Sequence, residues 1–325
     1  MTASVGTGTL VRLILRRDRV VLAGWVTAIV LVGVGTVAYY LGVFASAETR
    51  QAVFADIAGT PALLGFNGQL FGDSLDILAT WRMRDLSYTL VSVMTLMTVV
   101  RHTRREEDHG RLELVGSAAI GRHAPLAAAI CVAAAAGVAA SLLIGLGMIG
   151  LGLDPAGALA FAAAASATGA VFAGVGAVAA QIVSTGRGAL GLGATVLGLS
   201  YLLRFTADSS GATALSWVTP LGWAHQIRPF ADERWAVLLL PLAAAIGLAA
   251  LAHALLARRD FGAGLLPARN GPARGHTSAA WPAWRGGNSA AYSPAGPPPM
   301  RSRASSSADS SPPFRTPPKR SAQAR

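Results

Sequence analysis

Six long stretches of the sequence carry almost no charge, and they limit the fold more than any other feature. They cover about residues 20–44, 86–100, 125–153, 157–183, 189–203 and 235–257. As a helix, the first stretch would measure about 37 Å, which exceeds the ~30 Å hydrocarbon core of a membrane. With 53% apolar and only 13% charged residues, a water-soluble fold could not cover its own surface. The sequence therefore predicts an all-α, polytopic membrane bundle of six transmembrane helices.

The two ends of the chain differ from this apolar body. Residues 1–19 place leucine and isoleucine on one helical face and arginine mostly on the other, which predicts an amphipathic helix at the membrane surface. Residues 268–325 hold ten Pro, ten Ser and no Leu, Ile or Val, so they cannot bury a core and are predicted to be disordered. The expected organisation is an interfacial helix at 1–19, six spans within 20–267 and a tail at 268–325.

Most of the net positive charge comes from the end of the chain. Of the formal net charge of +11, residues 261–325 contribute +8, from eight Arg and Lys319 against Asp309. The body is close to neutral, so the charge does not indicate a nucleic-acid partner. Two origins are open for the tail: a natural cytoplasmic segment that contacts anionic membrane lipid, or translation in a shifted frame, since out-of-frame GC-rich codons yield Arg, Pro, Ser, Ala and Gly.

Arginine counts in the connecting segments predict the orientation. With the N-terminus inside, thirteen arginines before the far tail fall in cytoplasmic segments and six fall on the other side. Because cytoplasmic loops are rich in Lys and Arg, we expect a multi-pass protein of the cell membrane with both termini in the cytoplasm.

The sequence contains no known catalytic or nucleotide-binding motif. Lys319 is the only lysine and follows no glycine-rich loop, so no phosphate-cradling ATP site is expected, and HExxH, CxxC and GxSxG are absent. A single cysteine, Cys131, excludes a disulfide within one chain. The chain is predicted to be no enzyme and to bind no cofactor itself.

Three residues with helical spacing raise the question of a metal site. His102, Glu106 and His109 occupy positions i, i+4 and i+7 of one helical face. Neighbouring arginines would repel a divalent cation, so a solvated cytoplasmic helix is the favoured interpretation and no metal is expected.

The entry to the second stretch is charged. Arg82, Arg84 and Asp85 directly precede its uninterrupted apolar part. Ionisable residues within a membrane-spanning segment usually have a functional role. Two interpretations are open: the side chains reach to the outer interface, or they lie buried and belong to a transport pathway or gate.

Small residues recur at four-residue spacing in the third and fourth stretches. The two sets are Gly137, Ser141 and Gly145, and Ser166, Ala170 and Gly174. Such faces let helices approach closely, so they predict contacts within a bundle.

Three blocks of residues together carry a family resemblance. The first is Arg101-x-Thr103-Arg104-x-Glu106-Glu107-x-x-Gly110-Arg111-x-Glu113-Leu114, followed by Gly121-Arg122. The second contains Pro220-Leu221-Gly222-Trp223, Arg228-Pro229-Phe230 and Glu233-Arg234-Trp235. The third is Arg259-Asp260-x-Gly262-x-Gly264-Leu265. Over about residues 10–270 the chain resembles the actinobacterial ABC exporter permeases known as polyketide antibiotic exporters, within the type-2 ABC exporter superfamily.

This resemblance implies a permease subunit that works with a separate ABC ATPase, which would bind ATP and magnesium. The segment 101–123 would dock on the ATPase, and the residues implied in this coupling are Arg101, Arg104, Glu106, Glu107, Gly110, Arg111 and Glu113. The outer-loop motif of the family would be represented by Pro220, Gly222, Trp223, Pro229 and Trp235. Both sets are expectations from the resemblance.

Permeases of this family usually carry two six-span halves in one chain, and only the first half is present here. A second half or a second copy is therefore an implied partner. The first hypothesis is a permease half that exports a hydrophobic or amphipathic, antibiotic-like compound with ATP hydrolysed by its partner. The alternative is a membrane scaffold or regulatory subunit that transports nothing, or an inactive fragment of a permease.

Overall fold

The computed structural model describes residues 5–108, 120–259, 264 and 265, and all regular elements within these residues are helices. They are α1 (Thr7–Val43), α2 (Ala47–Ala58), α3 (Pro61–Asn67), α4 (Leu75–His102), α5 (Arg104–Asp108), α6 (Ala124–Gly150), α7 (Pro155–Ile182), α8 (Gly186–Ser210), α9 (Thr213–Ser216), α10 (Pro220–Gln226) and α11 (Leu239–Arg258). A 3-10 helix, Trp235–Leu238, precedes α11. The predicted all-α fold is confirmed, and the predicted tail lies outside the described residues.

Among the described residues, five segments are long and apolar enough to cross a membrane: α1, α6, α7, α8 and the continuous segment Trp235–Arg258. The helix α4 has a similar length, 28 residues, but it carries several charged side chains. Nineteen of its residues are buried, so neighbouring helices shield its polar groups from lipid. The chain is thus a multi-pass α-helical membrane protein, in which the sixth span, α4, stays a prediction.

The helix α7 lies at the centre of the bundle. In its most apolar window 72% of the residues are buried, against 17% in the segment Trp235–Arg258. Small residues permit this close packing: a Cβ on Gly145 would lie 3.0 Å from the carbonyl oxygen of Ala158 in α7, and a Cβ on Gly174 would lie 2.7 Å from Leu248 in α11. The predicted close-packing faces are therefore confirmed at both glycines.

The first helix corrects the expected boundary at residue 19. It runs without interruption from Thr7 to Val43, so residues 7–19 form no separate interfacial helix. No proline lies within the helix to break it. At about 55 Å, α1 is longer than the hydrocarbon core requires. Its first turns pack Leu10 and Ile14 against the start of α6.

The two long connections between spans are partly helical and folded onto the bundle. The segment between α1 and α4 contains α2 and α3, and the segment between α8 and α11 contains α9 and α10. The helix α4 begins at Leu75 rather than near residue 86, and α8 continues to Ser210 rather than ending near 203. Both helices continue through charged residues because the charged side chains of α4 and α8 are buried against one another.

Side-chain caps fix where several helices begin. The carboxylate of Asp154 accepts a hydrogen bond of 2.8 Å from the backbone N–H of Gly157, and Pro155 takes the first position of α7, so a tight turn joins α6 to α7. Ser74 caps α4 and Thr185 caps α8 in the same way.

Candidate functional site: two buried charge networks

Charged side chains meet inside the bundle at the end where α3 and α10 lie. They are Arg84 and Asp85 of α4, Arg204 and Asp208 of α8, and His225 of α10, and we call them the Arg204 network. None is more than 5% exposed. Because an isolated charge is costly away from water, such residues must satisfy one another.

Arg204 holds this network together. Its Nη1 atom lies 3.0 Å from Asp208 Oδ2, and its Nε atom lies 3.3 Å from Asp85 Oδ1. Its Nη2 atom donates to the backbone carbonyls of Gly65 (2.9 Å) and Phe66 (3.2 Å) at the end of α3. One guanidinium therefore joins α3, α4 and α8.

His225 brings α10 to the same point. Its Nε2 atom lies 3.0 Å from Asp85 Oδ1 and must carry the hydrogen, because a carboxylate can only accept. Burial, together with the positive charge of Arg84, lowers the pKa of His225 to about 3. The imidazole is therefore neutral, and its Nδ1 atom is buried with no hydrogen-bond partner in the described part of the chain.

The three residues predicted at the start of the second span separate in the structure. Arg84 is buried and donates through Nη2 to the carbonyl of Gln69 at 2.6 Å, and Asp85 joins Arg204. Arg82 is exposed, with its guanidinium 5.7 Å from the ring centre of Tyr40. The buried interpretation therefore holds for two of them, and Arg82 takes no part in the network.

The network also fastens the short segment after α3. Trp81 of α4 donates from Nε1 to the carbonyl of Gly68 at 2.7 Å. A Cβ on Gly68 would lie 2.2 Å from the His225 ring, and its φ is +88°, so a side chain has neither space nor a favourable backbone there. The segment can pass between α4 and α10 only because this residue is glycine.

The outer-loop motif has a clear structural basis. Pro220 occupies the first turn of α10, and a Cβ on Gly222 would lie 1.9 Å from the carbonyl oxygen of Ser216. Trp223 donates from Nε1 to the carbonyl of Trp217 at 2.6 Å. These residues therefore fold α9 and α10 against each other, which positions His225 on α10.

The loop after α10 is strained around Pro229. Arg228, Phe230 and Asp232 have φ values of 55°, 64° and 51°, which residues other than glycine rarely adopt. The Arg228 guanidinium lies 4.5 Å from the ring centre of Phe71, which the Arg84 guanidinium also approaches at 5.6 Å. The strained loop is thereby linked to the Arg204 network, whereas Trp235 is exposed and lies outside it.

A second group of charges surrounds the short helix α5 at the other end of α4. Its members are Arg17, Asp18, Arg101, His102, Arg104, Glu106, Glu107, Asp108 and Arg259, and we call them the α5 network. About 25 Å of α4 separates it from the Arg204 network. Asp18 is buried, lies 2.8 Å from His102 Nε2, and accepts from Arg101 at 2.9 and 3.1 Å. The helix α1 is therefore tied to the end of α4.

The acidic residues of α5 each reach a different helix. Glu106 pairs with Arg17 of α1 at 3.0 Å, and Glu107 pairs with Arg104 and with Arg259, just after α11. Asp108 accepts a hydrogen bond of 2.7 Å from the backbone N–H of Gly186, the first residue of α8. A helix of five residues thus contacts three long helices through its side chains.

These contacts change the role expected for part of the coupling segment. Arg101, Arg104, Glu106 and Glu107 form ion pairs inside the chain, so the structure provides partners within the chain for the carboxylates expected to meet another protein. Gly110, Arg111 and Glu113 lie outside the described residues. Sequence reasoning did not identify Asp18, Asp108, Arg204 or His225, and only Arg204 gave a signal, as an isolated charge directly after an apolar stretch.

The structure does not support a metal site in the same region. His102 Nε2 lies 2.8 Å from Asp18, Glu106 pairs with Arg17, and His109 lies outside the described residues. Among the residues that the structure describes, no group of three or more His, Cys, Asp or Glu side chains could hold a metal ion.

Comparison with known proteins gives one strong similarity. The chain is 40% identical over 270 residues to the multidrug efflux system permease protein Rv1217c of Mycobacterium tuberculosis (strain ATCC 25618 / H37Rv). The matched region covers 82% of this chain and 48% of that protein, so the chain spans about half the length of the curated relative that it matches. No protein-family model matches the chain.

Proposed function

We propose that this chain is the membrane-spanning half of an ABC exporter permease, which moves a hydrophobic or amphipathic compound out of the cell. The similarity to an efflux permease over 82% of the chain supports this function. The α5 network is the observation that carries it. A permease driven by a separate ATPase needs an element that receives movement at one face and passes it to several spans.

The helix α5 has the contacts that such an element requires. Its side chains hold α1, α8 and the end of α11, and Thr103 alone separates it from α4. A displacement of α5 therefore acts on four long helices at once. In this proposal Glu106, Glu107 and Asp108 transmit force within the chain, and Gly110, Arg111 and Glu113 meet the ATPase, which supplies ATP and magnesium.

The Arg204 network suits the role of a gate at the opposite end. It joins α4 and α8 to the short helices α3 and α10, so the relative movement of these two long helices would break or form its ion pairs. Arg84 and Asp85 act there as gating residues in the proposal, and the pathway runs between this half and a second half or a second copy.

The cargo is proposed from the relative alone. That protein is named for multidrug efflux, which favours several lipophilic compounds over one dedicated substrate. An antibiotic-like cargo, as in polyketide exporters, is the narrower prediction.

The orientation is also a proposal: the α5 network faces the cytoplasm, as do both termini. Cysteine labelling in a Cys131→Ala background tests it with two matched alanine positions at opposite ends of the bundle. Both Ala45 and Ala257 are exposed. An impermeant thiol reagent added to intact cells should label Ala45→Cys and not Ala257→Cys, and the reverse pattern would contradict the orientation.

Transport can be measured in inverted membrane vesicles. Cells express the chain with candidate ABC ATPases from its genome and, where one is known, a second half. We expect ATP-dependent accumulation of a lipophilic dye such as ethidium, absent without the chain or with an ATPase that cannot hydrolyse ATP. A bound ATPase without any dye uptake would support the alternative of a non-transporting subunit.

Charge reversal within the α5 network tests how the coupling works. Glu107→Arg should reduce dye uptake at least tenfold by placing three like charges together, and the double variant Glu107→Arg/Arg259→Glu should recover part of it because opposite charges again face each other. Glu48→Arg, an exposed change on α2, serves as the control. Equal uptake in Glu107→Arg and in the control, at equal membrane abundance, would contradict this role.

A further inference from the structure

Three arginines form an exposed stripe on the first turns of α1. Arg12, Arg16 and Arg19 occupy positions i, i+4 and i+7, which share one helical face. The opposite face holds the residues that α1 buries in the protein, Leu10, Ile14, Asp18 and Leu22. The stripe therefore points away from the bundle.

The stripe is not neutralised within the structure. None of the ion pairs found among the described residues includes Arg12, Arg16 or Arg19. Two acids of the same region contact other residues: Asp18 contacts Arg101 and His102, and Glu106 contacts Arg17. Three positive charges on about 10 Å of helix thus face outward and would attract an anionic surface.

Apolar side chains flank the stripe on both sides. Leu13, Leu15 and Val20 are 55%, 45% and 75% exposed. Contact with water alone would leave these large aliphatic groups unburied. The membrane interface accommodates both, since the aliphatic groups enter the acyl boundary and the guanidinium groups reach the headgroups.

The depth of the stripe agrees with this environment. The charge-free run of α1 begins at Val20, so Arg19 marks the edge of the hydrocarbon core. Each headgroup layer is roughly 5–8 Å thick, and Arg12 lies about 10 Å beyond Arg19 along the helix. Because this distance is close to the thickness of the layer, a tilted α1 keeps the three guanidinium groups within reach of the headgroups.

We propose that Arg12, Arg16 and Arg19 bind the phosphate headgroups of anionic phospholipid in the leaflet on the N-terminal side. The bound lipid would hold α1 at a fixed depth, and α1 in turn contacts the α5 network through Arg17 and Asp18. This inference does not depend on the proposed transport function, because it requires only a membrane and the described part of α1.

Native mass spectrometry of the purified full chain tests the proposal, with phosphatidylglycerol and phosphatidylcholine as the two probes. We expect preferential binding of phosphatidylglycerol, weakened at least tenfold in Arg12→Gln/Arg16→Gln/Arg19→Gln, since each Arg near an anionic surface adds to the electrostatic attraction. The lysine version of the triple variant should keep most of the binding, and so should the control Arg50→Gln/Arg82→Gln/Arg234→Gln, which removes the same charge at the other end.

Three outcomes would overturn the proposal. The first is unchanged phosphatidylglycerol binding in the triple glutamine variant. If that variant inserts poorly, Arg16→Gln alone is measured instead, and unchanged binding there has the same meaning. The second is binding of inorganic phosphate to the wild-type chain that is as strong as the binding of phosphatidylglycerol and is lost in the same variant, which would mean that no lipid is required. The third is release of a bound ATPase with lipid binding unchanged, which would assign the stripe to an acidic protein surface.

Discussion

The two charge networks use buried ion pairs in opposite ways. In the Arg204 network several elements converge on one guanidinium, which contacts two carboxylates and two backbone carbonyls. In the α5 network the contacts diverge, because Glu106, Glu107 and Asp108 each lead to a different helix. Both networks are rich in charge, but only the first depends on a single residue.

Because of this difference, we expect substitutions in the Arg204 network to affect folding stability and substitutions in the α5 network to affect coordinated movement. Removing the centre of a convergent network leaves several buried groups unpaired, so the cost falls on folding. Removing one link of a divergent network leaves the other links intact, so the protein still folds but moves with less coordination. We therefore expect unequal effects from substitutions that look equally severe in the sequence.

The largest effect is expected from Arg204→Gln. It leaves Asp85 and Asp208 without their shared cation inside the bundle, which should reduce the free energy of unfolding by about 3–5 kcal/mol. Unfolding by SDS in mixed micelles measures the change. Arg234→Gln is the control, exposed at the same end, and should stay within about 0.5 kcal/mol. If the two variants unfold alike, Arg204 is no centre of the network.

An intermediate effect is expected from acid. Since the pKa of His225 is lowered to about 3, the unfolded chain binds a proton below about pH 6.5 that the folded protein does not accept. Stability should therefore fall as the pH drops, by roughly 2 kcal/mol between pH 7 and pH 5. His225→Gln keeps a donor for Asp85 and should flatten this slope. A slope as steep in the variant as in the wild type would show that other groups cause it.

The smallest effect is expected from Arg17→Gln in the α5 network. The Arg17 side chain is 43% exposed, and ion pairs at such sites contribute less than about 1 kcal/mol. Unfolding in SDS should change little, whereas dye uptake should decrease because α1 loses its link to α5. A large loss of stability without a change in uptake would reverse the comparison between the networks.

Much of the architecture follows from the sequence, because long apolar runs in a chain poor in charge have few alternatives. The ends of the helices do not follow. A hydropathy pattern predicts that a span ends at the first charged residue. The helix α8 nevertheless continues through Arg204, because Asp85, 119 residues earlier in the chain, neutralises the charge of its guanidinium group. The periodicity of residues 7–19 likewise predicts an apolar face but not its partner, and the structure shows that Leu10 and Ile14 pack against α6 rather than lying on lipid.

The candidate site was found only in part. The cluster 101–108 stood out by charge density, but Glu107 contacts Arg259, which is 152 residues away in the chain. No spacing rule links such partners, so the carboxylates were interpreted as available for another protein. His225 gave no signal, because a single polar residue in a connection is usually solvated.

The enclosure of α7 also bears on how this protein responds to bilayers of different thickness. A helix surrounded by α4, α6, α8 and α11 meets little lipid, so hydrophobic mismatch acts mainly on the outer helices. We expect α1 and α11 to adjust their tilt in thin or thick membranes while α7 keeps its place as a fixed axis. Lipid composition would then tune the geometry of the periphery and leave the packed centre unchanged.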